Sequence, residues 1–166
     1  MAEALTRAPD GETKPEAYLR LKAEIAAIIA GETSQTARYA TVSSVLADSF
    51  GPRFFWTGFY VVDPDKDNEL VVGPYQGTLG CLRIPFGKGV CGAAAASQST
   101  QLVPDVHAFP GHIACDSRSQ SEIVVPVFDA QGNLAAVLDV DSTELDAFDL
   151  EDKAGLEAIC QIVLTA

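Results

Sequence analysis

The run FFWTGFYVVD, residues 54–63, sets the fold class of this chain. Both of its alternating faces are apolar, which is typical of a central strand that is covered on both sides. Helices would cover one side, and a ligand pocket could lie on the other. Further strands are predicted in five segments, residues 69–77, 81–86, 101–106, 122–128 and 133–141. Most of the connections between them have the length of hairpin turns, so the sheet should be antiparallel.

Helical patterns precede, interrupt and follow these strands. The residues TKPE at 13–16 form a predicted capping box with a proline in the first turn. Apolar residues then recur at helical spacing at Tyr18, Leu21, Ile25 and Ile28. Further helices are expected at about residues 34–49, in the alanine-rich stretch 87–99 and at 150–163. Pro126 lies awkwardly for a central strand, so we expect a bulge or an edge position there.

The order of these elements favours an α+β domain, in which an antiparallel sheet has helices packed on one face. A length of 166 residues suits one core rather than two. Residues 1–12 are expected to be a disordered leader, and residues 13–166 are expected to form the single domain.

The charge of the chain excludes two classes of partner. With 23 acidic and 11 basic residues, the formal net charge is −12. Nucleic acids and anionic membranes attract lysine and arginine and repel an excess of carboxylates, so neither is an expected partner. The N-terminus is polar and the apolar stretches are shorter than a membrane span, which predicts a cytoplasmic protein.

Four cysteines in such a compartment are not a structural disulfide framework, because cytoplasmic thiols are kept reduced unless they cycle for a purpose. Cys115 lies in a long irregular segment, residues 107–121, where solvent and substrate can reach it. A nearby cation, either Arg118 or a charged His112, would favour the nucleophilic thiolate. The alternative is a small apolar side chain folded under the loop.

The other cysteines differ in context. Cys81 is predicted to share one face of a strand with Arg83, which could activate it in the same way. Cys91 lies at the start of the alanine-rich helix, where free N–H groups and the helix dipole stabilise an anion. A turn that enters such a helix also favours any small residue. Cys160 falls on the apolar stripe of the last helix, which indicates a buried core thiol.

Two other uses of these cysteines are weakly indicated. A zinc site would combine Cys81, Cys91 and Cys115 with a histidine, but no C-x-x-C spacing supports it. A Cys-His hydrolase would pair Cys115 with His107 or His112, and a histidine so close on a loop is common by chance.

Three carboxylates form a second group of candidate residues. Asp139 and Asp141 end an apolar strand two residues apart, so both point to one face, roughly 7 Å from each other. Glu122 begins the neighbouring strand and can approach the same place. Like charges so close together need a cation, such as a substrate ammonium or a metal ion. The alternative is a solvated, negatively charged strand end.

Four segments together resemble a known family: FFWTGFYVV (54–62), YQGTLGCLRIPFGKGVCGAAA (75–95), HIACDSRSQSEIVVPVF (112–128) and VLDVDS (137–142). They are similar to the free methionine-(R)-sulfoxide reductases, a stand-alone branch of the GAF-domain fold. The resemblance covers about residues 34–163. It implies a GAF-like fold and the reduction of free L-methionine (R)-sulfoxide by thiol chemistry, without a metal or another cofactor.

The resemblance also implies roles for individual residues. It matches Cys115 to the catalytic thiol, Cys81 to the resolving thiol and Cys91 to an auxiliary thiol. It implies that the substrate is bound by Trp56, Glu122, Asp139 and Asp141. The disulfide partner of Cys115 stays open between Cys81 and Cys91. Thioredoxin or a similar dithiol would restore the thiols.

The residues and the resemblance together predict that Cys115 attacks the sulfoxide sulfur while Glu122 or Asp141 protonates the oxygen. Trp56 would wall the pocket, or else simply pack in the core. The alternative function is a non-catalytic GAF-type module that binds a small ligand. Such modules signal to an output domain, for which this chain is expected to have no room. A homodimer would form if the apolar faces of the first and last helices pair two chains.

Overall fold

A six-stranded antiparallel sheet organises residues 5–166, which are the residues that the computed structural model describes. Its strands are β1 (Trp56–Val62), β2 (Glu69–Gln76), β3 (Arg83–Pro85), β4 (Gln101–Val103), β5 (Ser121–Phe128) and β6 (Leu134–Ser142). Their order across the sheet is β3-β2-β1-β6-β5-β4. β1 therefore lies inside the sheet between β2 and β6, which confirms the prediction of a central strand.

Four α-helices accompany the sheet within these residues: α1 (Lys14–Ile28), α2 (Gln35–Phe50), α3 (Gly89–Ser97) and α4 (Leu150–Val163). Two short 3₁₀ helices lie at Gly51–Arg53 and Val106–Ala108. The predicted capping box opens α1, where the Thr13 hydroxyl accepts from the Glu16 N–H and the Glu16 carboxylate accepts from the Thr13 N–H. In residues 5–166, none of the helices combines the length and hydrophobicity that a membrane crossing requires. The predicted α+β class is confirmed.

The larger part of the core lies between one face of the sheet and the helices α1, α2 and α4. The stripe of α1 that enters it runs through Leu21, Ile25 and Ile29. The helical spacing predicts Ile28 on this stripe, which is wrong because Ile28 is 48% exposed. Ile29 follows Ile25 by four residues and so continues the same face just beyond the helix. Cys160 lies in this core, as predicted.

The opposite face of the sheet is covered by α3 and by aromatic side chains of β1 and β2. Ala94 and Ala95 of α3 share a buried cluster with Val124 and Val137 of the sheet. The prediction of helices on one face therefore holds for α1, α2 and α4, whereas α3 packs on the other. The central strands carry apolar residues on both faces, so both need cover, and small alanine side chains let α3 lie close to the sheet.

Pro126 lies in β5 opposite Val137 of β6. On the other side, β4 pairs only with residues Glu122–Val124, so β5 is a local edge at Pro126. A register irregularity follows between Val127 and Phe128. Both features agree with the expected edge position or bulge, because proline has no N–H to donate to a neighbouring strand.

The chain before α1 contacts the domain without forming a helix or strand in the described residues 5–12. Leu5 packs against the core between the sheet and the helices α1, α2 and α4, which we call the helix-side core. Glu12 accepts hydrogen bonds from the Arg20 guanidinium at 2.7 and 2.9 Å. The remainder of the predicted disordered leader, residues 1–4, lies outside the described residues.

An apolar groove runs between α1 and α4 on the outer surface, and Leu19 and Leu150 contribute to its lining. Leu19 is 69% exposed and Leu150 is 72% exposed. A second copy of the chain would cover this surface in the predicted homodimer.

A buried polar network around Asp152 joins α1 to α4. The Asp152 carboxylate accepts from the Tyr18 hydroxyl at 2.7 Å and from the Lys14 ammonium at 2.9 Å. It also accepts from the Arg53 guanidinium at 3.0 Å. These bonds hold the Tyr18 ring against Gly155 of α4, where an added Cβ atom would lie 2.1 Å from the ring.

We expect Gly155→Ala to destabilise the protein, although alanine in place of a helical glycine usually stabilises by about 1 kcal/mol. The added methyl group would displace the Tyr18 ring, and overpacking of this kind typically costs about 1–3 kcal/mol. Urea unfolding followed by circular dichroism measures the change. Ala154→Gly, at an exposed position of α4, is the control and should cost about 1 kcal/mol from helix propensity alone. The two effects together give a net loss of about 0–2 kcal/mol, so a gain in the free energy of unfolding for Gly155→Ala would contradict the close contact.

Candidate active site

A cavity opens on the α3 side of the sheet. It encloses about 500 Å³, counting the part that is open to solvent. Its lining includes most of the residues that the sequence predicts for the site: Trp56, Cys91, Cys115, Glu122, Asp139 and Asp141. The remaining predicted residue, Cys81, is bonded to Cys115.

Strand register brings the three acids together. Asp139 and Asp141 are two residues apart on β6 and so point to the same face. Asp141 pairs with Trp56 of β1 on one side and with Glu122 of β5 on the other. Three strands therefore present an indole and three carboxyl groups to one cavity, as the sequence pattern predicts.

All three carboxyl groups have raised pKa values. Burial and the charges of Asp139 and Asp141 raise the pKa of Glu122 well above its ordinary range. Burial and the charge of Asp139 raise the pKa of Asp141 in the same way. Burial raises the pKa of Asp139 to about 6. The pKa of Asp139 is raised less than those of Glu122 and Asp141, so Asp139 ionises most readily of the three.

The Asp139 carboxylate has no lysine or arginine as a partner in the described part of the chain. Asp139 is 5% exposed, and its Oδ1 atom accepts no hydrogen bond from residues 5–166. Within the same residues, the ion pairs of lysine and arginine go to other carboxylates. The alternative of a solvated strand end is wrong because Glu122 and Asp139 are buried. The cavity is thus suited to a cationic group.

His112 is the histidine nearest to the acids. Its Nε2 atom lies 3.8 Å from Oε2 of Glu122. Burial and the neighbouring His107 lower the pKa of His112. A neutral imidazole does not offset the charge of the acid cluster at neutral pH.

One wall of the cavity is aromatic. Trp56 stacks on Tyr60 and on Tyr75, with centroid distances of 5.6 and 4.9 Å. The indole N–H donates to the Thr78 carbonyl at 2.9 Å, which fixes the ring orientation. Trp56 therefore packs in the core and lines the cavity at once. Sequence reasoning misses Tyr60, although its spacing of four residues from Trp56 puts both on one face of β1.

The N-terminus of α3, which the sequence analysis considered only for a Cys91 anion, also lines the cavity. Lys88, Gly89 and Val90 line the cavity there. The first N–H groups of a helix have no partner within the helix, so they can bind an anion such as a carboxylate. The glycines that flank Lys88 were the available signal, since they mark the turn that starts α3.

Cys81 and Cys115 form a disulfide. It links the segment before β3 to the irregular loop before β5. Of the two pairings that the sequence leaves open, the structure contains the one with Cys81, and Cys91 is a free, buried thiol. Cys115 is exposed, so solvent molecules can reach the disulfide.

The predicted activation of Cys81 by Arg83 is wrong. β3 begins only at Arg83, so Cys81 lies outside the strand and does not share a strand face with it. The Arg83 guanidinium instead binds the carboxylates of Asp63 and Glu69. Carboxylates bind a guanidinium far better than a neutral thiol does, which explains the difference.

The predicted cation beside Cys115 is also engaged elsewhere. The Arg118 guanidinium donates to the Asp116 carboxylate at 3.0 and 2.8 Å and lies over the Phe55 ring. Asp116 also accepts from the Thr78 hydroxyl at 2.7 Å. These contacts neutralise Arg118 and hold the Cys115 loop against the segment that contains Thr78.

Cys91 is a neutral thiol rather than an anion. Its Sγ atom lies 3.9 Å from Oε1 of Glu122. Burial and the charges of Asp139, Glu122 and Asp141 raise its pKa well above the ordinary range. The prediction that the helix start stabilises a Cys91 anion is therefore wrong, because desolvation and three acids outweigh the helix dipole.

Two alternatives for the cysteines do not match this arrangement. In the disulfide form, the zinc set of Cys81, Cys91 and Cys115 is not available, because two of the three sulfurs are bonded to each other. The Cys-His pair is not present in this form either, and the His112 ring lies beside Glu122. Among the described residues, the group that could hold a metal ion is Cys91, Glu122 and Asp139.

Comparison with known proteins identifies the family. Residues 22–166 match the model of the GAF domain. The free methionine-R-sulfoxide reductase of Escherichia coli (strain K12) is 44% identical over 146 residues, which cover 88% of this chain and 86% of that protein. GAF domain-containing protein A of Dictyostelium discoideum is 47% identical over 151 residues, which cover 91% of this chain and 92% of that protein.

A solved structure agrees with the sequence matches. The free methionine-R-sulfoxide reductase of Neisseria meningitidis, in complex with its substrate, superimposes with a TM-score of 0.88 at 43% identity. The superposition covers 96% of this chain and 93% of that one. The chain therefore belongs to the GAF-domain family and, within it, to the free methionine-R-sulfoxide reductases.

Proposed function

We propose that this chain reduces free methionine (R)-sulfoxide through the thiols of Cys115 and Cys81, and that a dithiol such as thioredoxin recycles it. The observation that carries the proposal is the Cys81–Cys115 disulfide next to a cavity lined by buried acids. A non-catalytic ligand-binding module would use such a cavity but would have no use for an exposed disulfide at its rim. A cytoplasmic location is part of the proposal, because the disulfide must be reduced after each turnover.

The cavity offers a contact for each part of a free amino acid. The substrate ammonium would bind the unpartnered carboxylate of Asp139, beside Glu122 and Asp141. The substrate carboxylate would meet the first N–H groups of α3. The methyl group on sulfur would lie against Trp56, which excludes water from the reacting centre.

Transfer of the oxygen from the substrate sulfur to the Cys115 sulfur needs a nucleophile and a proton donor. The Cys115 thiolate attacks the sulfoxide sulfur, while Glu122 or Asp141, whose pKa values are raised by burial, gives a proton to the oxygen. The substrate sulfur gains two electrons, methionine leaves, and Cys115 becomes a sulfenic acid.

The second thiol completes the cycle. Cys81 attacks the Cys115 sulfur, the S–S bond forms and water leaves. The Cα atoms of the two residues are 5.3 Å apart, so the bond forms within ordinary disulfide spacing. An external dithiol then reduces the disulfide to two thiols by thiol–disulfide exchange. Cys91 is neither oxidised nor reduced in this scheme, and its auxiliary role stays a prediction.

Cys115→Ser should abolish sulfoxide reduction, because an alcohol supplies almost no anion at neutral pH. Cys81→Ser should still release about one methionine per chain in a single turnover, since the resolving thiol acts only after the substrate is reduced. Rapid-quench chromatography of methionine measures both. Cys160→Ser, in the helix-side core, is the control and should cycle normally. Turnover by Cys115→Ser would remove Cys115 as the nucleophile, and no methionine from folded Cys81→Ser would give Cys81 an earlier role.

N-acetyl methionine (R)-sulfoxide should be a poor substrate, because it keeps the reacting sulfur and the carboxylate but lacks the ammonium. A hydrogen bond to a charged group contributes roughly 1.5–3 kcal/mol, so kcat/KM should fall about tenfold or more. Asp139→Asn should lower kcat/KM for the free amino acid by a similar factor and change it little for the acetylated one. Equal kcat/KM values of the wild type for the two substrates would show that the acids do not bind the ammonium.

The disulfide is flanked by exposed apolar side chains, which offer a contact for a protein dithiol. Leu79 is 79% exposed, Leu82 is 71% exposed and Ile113 is 39% exposed. Leu82 follows Cys81 directly, so a protein that attacks this disulfide must cover it.

Leu82→Ser should therefore weaken recycling by thioredoxin about tenfold in kcat/KM, since burial of a leucine contributes about 1.5–3 kcal/mol. Recycling by dithiothreitol, which needs no protein surface, should be unchanged. Leu19→Ser, an equally exposed position on α1, is the matched control for thioredoxin. A parallel loss with both reductants would mean that Leu82 supports the disulfide rather than the reductant contact.

A further inference from the structure

Three side chains from three elements place metal-ligating atoms together at the bottom of the cavity. The Cys91 sulfur from α3, a Glu122 oxygen from β5 and an Asp139 oxygen from β6 all lie within 4.8 Å of one another. All three residues are buried, and the Cys91 sulfur is 3.9 Å from Oε1 of Glu122. The Oδ1 atom of Asp139 is buried and accepts no hydrogen bond from residues 5–166, and no lysine or arginine of these residues pairs with the carboxylate.

We propose that Cys91, Glu122 and Asp139 form a binding site for Zn²⁺ or a similar thiolate-binding divalent ion, which inhibits the enzyme by occupying the position of the substrate ammonium. The metal site itself rests on the geometry of these residues. The inhibition rests on the proposed function, because it assumes that the ammonium binds at Asp139.

The donor set determines which ions fit. Zinc is bound in proteins by cysteine sulfur and carboxylate oxygen with four ligands. A thiolate favours zinc, cobalt and cadmium over magnesium and calcium, which take oxygen ligands only. Three protein ligands leave the fourth position to water from the cavity, so the site has the open form of an exchangeable ion rather than a closed structural one.

The strands and the helix hold the ligands in place before an ion arrives. Glu122 and Asp139 lie on the paired strands β5 and β6, and Cys91 is in the first turn of α3, which packs on those strands. Ion binding would displace the protons of the Cys91 thiol and the Glu122 carboxyl group, leaving three negative charges around a divalent ion. The ion would thereby relieve the same crowding of carboxylates that a substrate ammonium relieves.

The disulfide form of the protein allows metal binding at Cys91 to be measured without a contribution from the thiols of Cys81 and Cys115. In the disulfide form, the sulfurs of Cys81 and Cys115 are bonded to each other. The remaining two of the four cysteines are Cys91, at the cavity, and Cys160, in the helix-side core. A thiolate–metal signal from the oxidised protein must therefore come from Cys91 or Cys160, and Cys160→Ser distinguishes them.

The test uses Co²⁺ as the probe on the oxidised full-length protein, without reductant. We expect one Co²⁺ per chain, with the near-ultraviolet absorption band of a thiolate–cobalt bond. The band should persist in Cys160→Ser and vanish in Cys91→Ser. Asp139→Asn should keep the band and weaken Co²⁺ affinity about tenfold or more, as loss of a ligand's charge does. No thiolate band in the wild type, or a band that depends on Cys160, would overturn the site without relying on the fold of any Cys91 variant.

Competition tests the link to the substrate position. Methionine, which carries the ammonium but no oxygen to reduce, should raise the apparent Kd for Co²⁺ in proportion to its concentration. N-acetyl methionine lacks the ammonium and should not compete. A thiolate band that methionine leaves unchanged would overturn the inhibition while the metal site stands. Because no turnover is measured, failure of the reductase scheme in the Cys115→Ser experiment would leave the cobalt result intact.

Discussion

The register of β1, β6 and β5 is the constraint on which the cavity depends. Asp141 lies opposite Trp56 on one side and Glu122 on the other, so a shift of one residue in β6 would break both pairings. Such a shift also turns every side chain to the other face of a sheet. Asp139 would then enter the apolar core under α1, α2 and α4, where a carboxyl group has no partner, and this cost maintains the observed register.

The electrostatics of the cavity follow from that register. Three carboxyl groups share one buried space, which raises the pKa of each of them. The Oδ1 atom of Asp139 accepts no hydrogen bond from the described residues. The proposed proton donation, ammonium recognition and affinity for a divalent ion would therefore have one physical origin, which is the desolvation of closely spaced acids. Cys91 belongs to the same group, since the acids that crowd it also keep it protonated.

The residues proposed for substrate binding and those proposed for redox chemistry lie in different kinds of structure. The acids and Trp56 are on paired strands, whose backbone hydrogen bonds fix their positions. Cys81 and Cys115 are on irregular segments outside the strands, separated by 34 residues. A backbone outside a strand ladder can bring two sulfurs together without disturbing the sheet. The hydrogen bond from the Thr78 hydroxyl to the Asp116 carboxylate holds the two segments close to each other.

Much of the fold could be read from local sequence patterns. The alternation in residues 54–63 predicts a doubly covered central strand, the capping box at Thr13 predicts the start of α1, and the spacing of Asp139 and Asp141 predicts a shared face. These features depend on the periodicity and hydrogen bonding of one segment, so neighbouring residues suffice to specify them.

Only the tertiary structure decided which groups meet across the chain. It placed α3 on the cavity side of the sheet, engaged Arg83 and Arg118 with carboxylates instead of thiols, and paired Cys115 with Cys81 rather than Cys91. It also decided that Cys91 is a protonated thiol, because the acids that raise its pKa come from β5 and β6. Contacts of this kind depend on strand order and on the paths of loops, which the periodicity of a single segment does not encode.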